Sequence, residues 1–301
     1  MRNLAILLLG SILLPAHLGA GEEVDSYATE IATWRKERLT RLKAEDGFLT
    51  LAGLYWLEEG DNHLGSANDN DLIFPESTPA HIGTFTLKAG EVSLTVLPGI
   101  PVFRNHPETG QIPVRSLPFP DLSSADPEPL ALGSFRFYPI ERSGRFGVRL
   151  KDLDSEVLRN FRSIDHFPIS EKWRIEGRFV PFTEPKTLQV PTIIGTPTEI
   201  SWPGTMYFEI DGEEHDLVVF GEAGDSSWFT IFADRTRGVE TYGGGRFLSI
   251  ENAGEGRALI DFNKAYNPPC AFTPFATCPL PPPQNILSVH IEAGEKSYGH
   301  H

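Results

Sequence analysis

Cysteine is nearly absent from this chain: Cys270 and Cys278 are the only two in 301 residues. Two cysteines can close one bridge, so a disulfide-built scaffold is excluded and stability must come from apolar burial. Basic residues are also scarce, with 26 Lys and Arg against 41 Asp and Glu. The resulting net charge of −15 repels phosphate backbones and anionic lipid, so nucleic acid is not an expected partner. Beyond residue 21 no uninterrupted apolar run reaches the roughly 20 residues that a transmembrane helix needs. Familiar catalytic signatures are missing too. The chain holds no G-x-S-x-G elbow, no H-E-x-x-H zinc helix, no P-loop and no G-x-G-x-x-G. Common hydrolase and nucleotide-binding classes thereby lose their main sequence support, and no metal or other cofactor is implied. A small-molecule ligand is the partner class that these exclusions leave open.

The N-terminus is read as an export leader. Arg2 supplies the charge, Leu4 to Leu14 an apolar run interrupted only by Gly10 and Ser11, and Gly19, Ala20 and Gly21 the small residues of a cleavage site. Leu18-Gly19-Ala20 would suit a lipoprotein leader, but Gly21 stands where the acceptor Cys would be. Cleavage after Ala20 or Gly21 would release a soluble periplasmic or secreted protein. Residues 22–301 are then expected to form a single β-rich domain, built as one large core or two closely packed halves. Losing Arg2 takes the charge from −15 to −16 over those 280 residues.

Residues 26 to 45 are expected to form an amphipathic helix, because Tyr27, Ile31 and Trp34 recur at i, i+4 and i+7 with Leu42 near the same face. Asp46-Gly47 stops it. Period-two patterns follow. Phe85 and Leu87, an Ala89-Gly90 turn, then Val92, Leu94 and Val96 read as a hairpin. Trp173 to Phe179, Met206 to Ile210 before Asp211-Gly212, Leu217 to Phe220, Trp228 to Phe232, Phe247 to Ile250, Ala258 to Phe262 and Ile286 to Ile291 read as further strands. With 28 Gly and 25 Pro punctuating such short segments, the expected fold is mainly β: a barrel or sandwich of antiparallel strands with one N-terminal helix. Pro107 to Pro129 reads as a surface excursion. Gly224-Asp225-Ser226 reads as a turn, and the run from Asp61 to Asp71 as a solvated loop in preference to a calcium site.

Asp261-Phe262-Asn263-Lys264-Ala265-Tyr266-Asn267-Pro268-Pro269-Cys270 differs in kind, since it places hydrogen-bonding side chains between a strand and a proline-stiffened loop. In an oxidising compartment a Cys270–Cys278 disulfide is the leading reading. A thiolate metal site drawing on His290 and a nucleophilic Cys270 are the alternatives. The run from Asp261 to Pro283 resembles the signature of domain-of-unknown-function family 1684. Trp34-Arg35, Leu51 to Leu57 with Gly60-Asp61-Asn62, Gly144 to Asp152, Thr241 to Leu248 and Ala293-Gly294-Glu295 extend the resemblance along the chain. The resemblance implies no activity and transfers no catalytic residue. It also implies members without an export leader, which moves weight from a disulfide toward a thiol or metal role.

The candidate site residues follow. Asp261 is the candidate acid/base and Cys270 the candidate nucleophile, with Tyr266 beside them. Asn263 and Asn267 are candidate hydrogen-bonding groups. Arg145, Arg149 and Arg246 are candidate clamps for an anion, set against salt bridges such as Arg149 to Asp152 or Asp261. The expected function is a cell-envelope enzyme, a hydrolase, acting on a small polar or anionic substrate. A non-catalytic binding or scaffold protein is the alternative.

Overall fold

Alternation of apolar and polar residues becomes alternation of buried and exposed side chains in the computed structural model, which describes residues 20–106, 109–123 and 126–299. The leader reading at residues 1–19 lies outside the described residues. Helix α1 (Ala20–Lys43) buries Tyr27, Ile31 and Leu42 of the stripe expected from sequence, leaves its fourth member Trp34 half-buried, and buries with them the charged Arg38. It ends before Gly47, where any Cβ would lie 2.3 Å from the Leu42 carbonyl oxygen. Only glycine lets the chain turn so tightly under the helix end.

Two cores follow. The first lies between two sheets drawn from β1 (Leu51–Trp56), β2 (Gly60–Gly65), β3 (Leu72–Ile73), β4 (Gly83–Lys88), β5 (Glu91–Val96), β6 (Phe103–His106), β7 (Gly110–Pro113), β8 (Ser116–Phe119), β9 (Leu130–Leu132), β10 (Phe135–Arg142) and β11 (Arg145–Asp152). One sheet has the order β1-β11-β10-β9-β6-β7, the other β3-β2-β4-β5-β8. Their inner faces meet through Phe85, Leu94, Phe119, Phe137, Val148 and Leu150. The β4–β5 hairpin turns at Ala89 and Gly90, both at positive φ (53° and 84°), the backbone that a two-residue turn of the right twist demands. The stretch from Pro107 to Pro129, expected as a surface excursion, is mostly exposed where it is described but also contributes to the core. β8 pairs with β5, and Val114, Phe119 and Leu122 are buried, because apolar side chains flank the prolines closely enough to reach the core.

The second core fills a barrel made of β12 (Arg174–Val190), β13 (Thr198–Ile210), β14 (Glu213–Val218), β15 (Ser227–Phe232), β16 (Arg246–Gly254) and β17 (Arg257–Asp261). The order is β14-β13-β12-β17-β16-β15, antiparallel throughout. Its two edges are brought together at one bridge just past β14, where Phe220 and Phe229 exchange backbone hydrogen bonds of 2.8 and 3.1 Å, so the sheet curls toward a closed barrel. Inside lie Trp173, Phe208, Trp228, Phe232, Ile250 and Phe262. The expected strand at Ile286 to Ile291 does not form. Behind the prolines at 281–283, this segment crosses the barrel end as an irregular strap, bonding to the backbone of Ala233 and Arg235 and burying Leu287 and Ile291. Among the described residues no helix is long and apolar enough to cross a membrane.

His166 sits where the strap's end meets the segment before β12, with its Nε2 buried and without a hydrogen-bond partner. Burial, reinforced by the nearby Arg35 charge, pushes its pKa from the usual 6.5 down to about 4. The unfolded chain therefore binds more protons between these values. The neutral imidazole's stability is complete above pH 6.5 and is lost as pH falls toward 4, by about 1–2 kcal/mol once partial solvent contact is discounted. Urea unfolding at pH 7.5 and pH 4.5 should show a smaller pH-dependent loss in His166→Leu than in wild type. Equal losses in both would contradict this account.

Candidate functional site

The signature loop leaves β17 at Asp261 and is pinned from several sides. Asp261 is buried. Its Oδ1 accepts from the Tyr27 hydroxyl (2.8 Å) and the Asn263 backbone N–H (3.1 Å), and its Oδ2 lies 3.6 Å from the Lys264 ammonium. Asn263, fully buried, accepts from the Ser170 N–H and donates to the Ser170 carbonyl. Together the two residues fasten α1 and the chain before β12 to the barrel. Asn267 is equally enclosed; its N–H donates to Glu295 Oε2 (2.7 Å) and its amide to the Lys296 carbonyl (2.7 Å). Three polar residues of the signature thus hold the loop's shape.

Arg246 is sealed inside the barrel end. It is 1% exposed, pairs with Asp234 at 3.1 Å, and donates to the carbonyls of Ile291 and Ala293. A ligand clamp needs a guanidinium edge that opens on a cavity; both Nη atoms of this one are committed, and its unpartnered Nε is sealed in the core. Gly245 before it, at φ 84°, would place a Cβ 2.4 Å from the Pro281 ring and 2.7 Å from the Phe232 carbonyl oxygen, so this one glycine serves a close approach, while a Cβ at Gly243 would meet nothing. Arg145 lies exposed, its guanidinium 3.9 Å over the Trp56 ring.

Arg149 is placed differently. It rises from β11 into a cavity of about 320 Å³ between the sandwich and the barrel, whose lining includes Phe48, Arg142, Thr192, Phe247, Thr277 and Cys278. One Nη donates to Thr277 Oγ1 (3.3 Å), and Nε is buried with no partner. The expected salt bridge to Asp152 or Asp261 does not form, and Arg149 makes no ion pair among the described residues. Burial drives its pKa down, opposed by Tyr138 and reinforced by Arg142. Arg142, on the cavity wall, is neutralised by Asp126 at 2.7 Å. A desolvated guanidinium with no counterion, opening on a cavity, is the electrostatic signature of an anion site.

Beside it lie the two cysteines, and they are not bridged. The structural disulfide expected from sequence is corrected here: the Cys270 N–H donates to Cys278 Sγ (3.2 Å), and the Tyr242 hydroxyl donates to the Cys270 carbonyl (3.1 Å). These bonds and those of Asn267 already hold the loop, so a covalent clip is not what shapes it. The thiols are coupled. Hydrogen bonds from Cys278 and Tyr242 draw the Cys270 pKa down, while the same partnership with Cys270, together with burial, pushes Cys278 up. Among the described residues no three His, Cys, Asp or Glu side chains converge as a metal site would require.

Tyr266 faces a second cavity, under α1. Trp34, Arg38 and Arg41 line it from the helix and Lys264 from the loop. Arg38, buried and lining this cavity, is the candidate residue that sequence reading passed over. Its signal was legible, since a charged residue four positions after Trp34 and seven after Ile31 falls on the buried stripe of an amphipathic helix.

A family model described as a protein of unknown function (DUF1684) matches residues 159–296. An uncharacterized protein of Haloarcula marismortui with a solution NMR structure is 30% identical, over 46% of this chain and 78% of its own, with a TM-score of 0.39. The chain belongs to the DUF1684 family. The search of curated proteins found no match. The DUF1684 match takes in the whole barrel, Tyr266 and both cysteines, whereas Arg149 and α1 lie N-terminal to it. Both cavities of this DUF1684 protein therefore combine residues of the matched segment with residues of the sequence before it.

Proposed function

We propose that this protein binds a small anion, a carboxylate or phosphate group, at Arg149. The half-buried guanidinium, its Nε buried and unpartnered and no ion pair of its own among the described residues, carries the reading, with the hydroxyls of Thr192, Thr198 and Thr277 on the same cavity as further hydrogen-bond partners. Arg149 supplies two or more donors in a fixed fork and Thr277 positions it. The leader at residues 1–21 supports an exported, soluble setting for this activity.

A second reading is hydrolysis of a small anionic substrate, and the thiol pair is what favours it. Cys270 would be the nucleophile, its thiolate stabilised by Cys278 and Tyr242; it adjoins the Arg149 cavity only through Cys278, the thiol that lines it, and Arg149 would orient the substrate. Asp261 lines neither cavity and keeps a structural task in this scheme.

Isothermal titration with inorganic phosphate and with acetate tests the binding claim. Arg149→Met should weaken the tighter-binding anion by about tenfold or more, equivalent to at least ~1.4 kcal/mol. The same variant should unfold at equal or higher urea concentration, because it removes an uncompensated buried charge. Equal affinity in wild type and variant, or no binding of either anion to wild type, would overturn the proposal.

A further inference from the structure

The cavity under α1 is separate from the Arg149 site, with Phe48 lining both. It encloses about 490 Å³ between the C-terminal half of α1, the turn at Asp46 and Gly47, β16 and the signature loop, a size typical of small-molecule sites. Its walls combine two chemistries. Trp34, Phe48 and Tyr266 contribute aromatic surface, and Arg38, Arg41 and Lys264 contribute cations against the single carboxylate of Asp46. In a chain of net charge −15, three cations line this one apolar cavity while most of their acidic partners stand outside its lining.

Arg38 and Lys264 are held in place by acids outside the lining. Arg38, only 5% exposed, is fixed by Glu295 (3.2 Å) and by the Asn267 carbonyl (2.9 Å), and its guanidinium carbon lies 4.6 Å from the Tyr266 ring centroid. Those contacts use Nε and Nη2, and Nη1 makes no hydrogen bond among the described residues. Lys264 is anchored by Glu30 at 2.6 Å, whereas Arg41 has only a loose, exposed contact with Glu37 at 3.8 Å and stays free to turn toward a ligand. Trp34 and Tyr266 meet at 6.3 Å between centroids with a 52° tilt, which leaves ring surface turned toward the cavity they both line.

We infer that this cavity is a second binding site, for a planar aromatic carboxylate. The rings of Trp34, Phe48 and Tyr266 take the flat body by stacking, and Arg38, Arg41 and Lys264 take the carboxylate. Ser249 on β16 offers a hydroxyl to the same volume.

The test is isothermal titration of the full chain with 2-naphthoate, with 2-naphthamide lacking the charge and octanoate lacking the rings. Wild type should bind 2-naphthoate, and each of the other two about tenfold or more weaker. Trp34→Leu and Arg41→Gln should each weaken 2-naphthoate by about fivefold or more. Arg41 is exposed with one loose partner, so its variant reports on binding even if the Trp34 variant fails to fold. Arg149→Met should leave 2-naphthoate affinity within about twofold, whether or not phosphate binds at Arg149. Failure of wild type to bind 2-naphthoate, affinity unmoved by both cavity variants, or loss in Arg149→Met would each overturn the inference. Octanoate binding as tightly as 2-naphthoate would overturn the aromatic part of it.

Discussion

Arg246→Met is expected to destabilise the protein by about 3–5 kcal/mol, because it leaves Asp234 charged and enclosed without its partner. Both side chains are 1% exposed, so water cannot substitute for the lost guanidinium. The damage extends past the pair. Asp234 also accepts from the Ile291 N–H (2.7 Å) and the Thr236 hydroxyl (2.9 Å), while Arg246 holds the carbonyls of Ile291 and Ala293. One ion pair thus clips the C-terminal strap across the barrel end from both of its backbone edges. A double variant, Arg246→Met with Asp234→Leu, should recover a large part of the loss, since apolar replacement of a buried pair is often neutral once no charge is stranded. Urea denaturation of the three proteins decides the matter. A single-variant loss below about 1 kcal/mol would show that the pair is not what secures the strap.

Asn285→Ala should cost about 2–4 kcal/mol, the second largest effect expected here. Asn285 is fully buried at the seam where the barrel closes. Its Oδ1 accepts from the Val218 N–H (2.7 Å), and its Nδ2 donates to the carbonyls of Val218 (2.9 Å) and Ile231 (2.8 Å) and to Thr230 Oγ1 (3.1 Å). One side-chain amide therefore does the work of a missing strand pair between β14 and β15. Removing it strands backbone groups away from water. Hydrogen exchange gives a local readout: the Val218 amide should lose protection out of proportion to amides in β12 and β13. Uniform loss of protection across the barrel would mean that Asn285 contributes to global stability without holding the seam.

Much of the fold was readable before any tertiary contact. The stripe of Tyr27, Ile31 and Leu42, the turns at Ala89-Gly90 and Asp211-Gly212, and the alternation through Met206, Phe208 and Ile210 depend on helical and strand periodicity alone. The signature run from Asp261 to Pro283 was visible for the same reason, since proline stiffness and polar density are properties of consecutive residues. The strap at Ile286 to Ile291 looked like a strand because its apolar spacing is the same; what differs is that no neighbouring strand stands where it passes.

The site was a different matter. Arg149 and Arg246 are both arginines in strands, yet one opens onto a cavity and the other is locked to Asp234, and the two cysteines sit as coupled thiols. Each of these outcomes depends on partners far away in the chain, Thr277 for Arg149 and Glu295 for Arg38. By itself the sequence determined a mainly β protein with an N-terminal amphipathic helix, strong net acidity and a stiffened polar loop, because those follow from local backbone geometry and composition. Only the tertiary structure decided which charges were neutralised, how the barrel closed, and where a guanidinium was left without a counterion. Burial and electrostatics are set by which residues meet across long sequence separations, and local pattern carries no record of that.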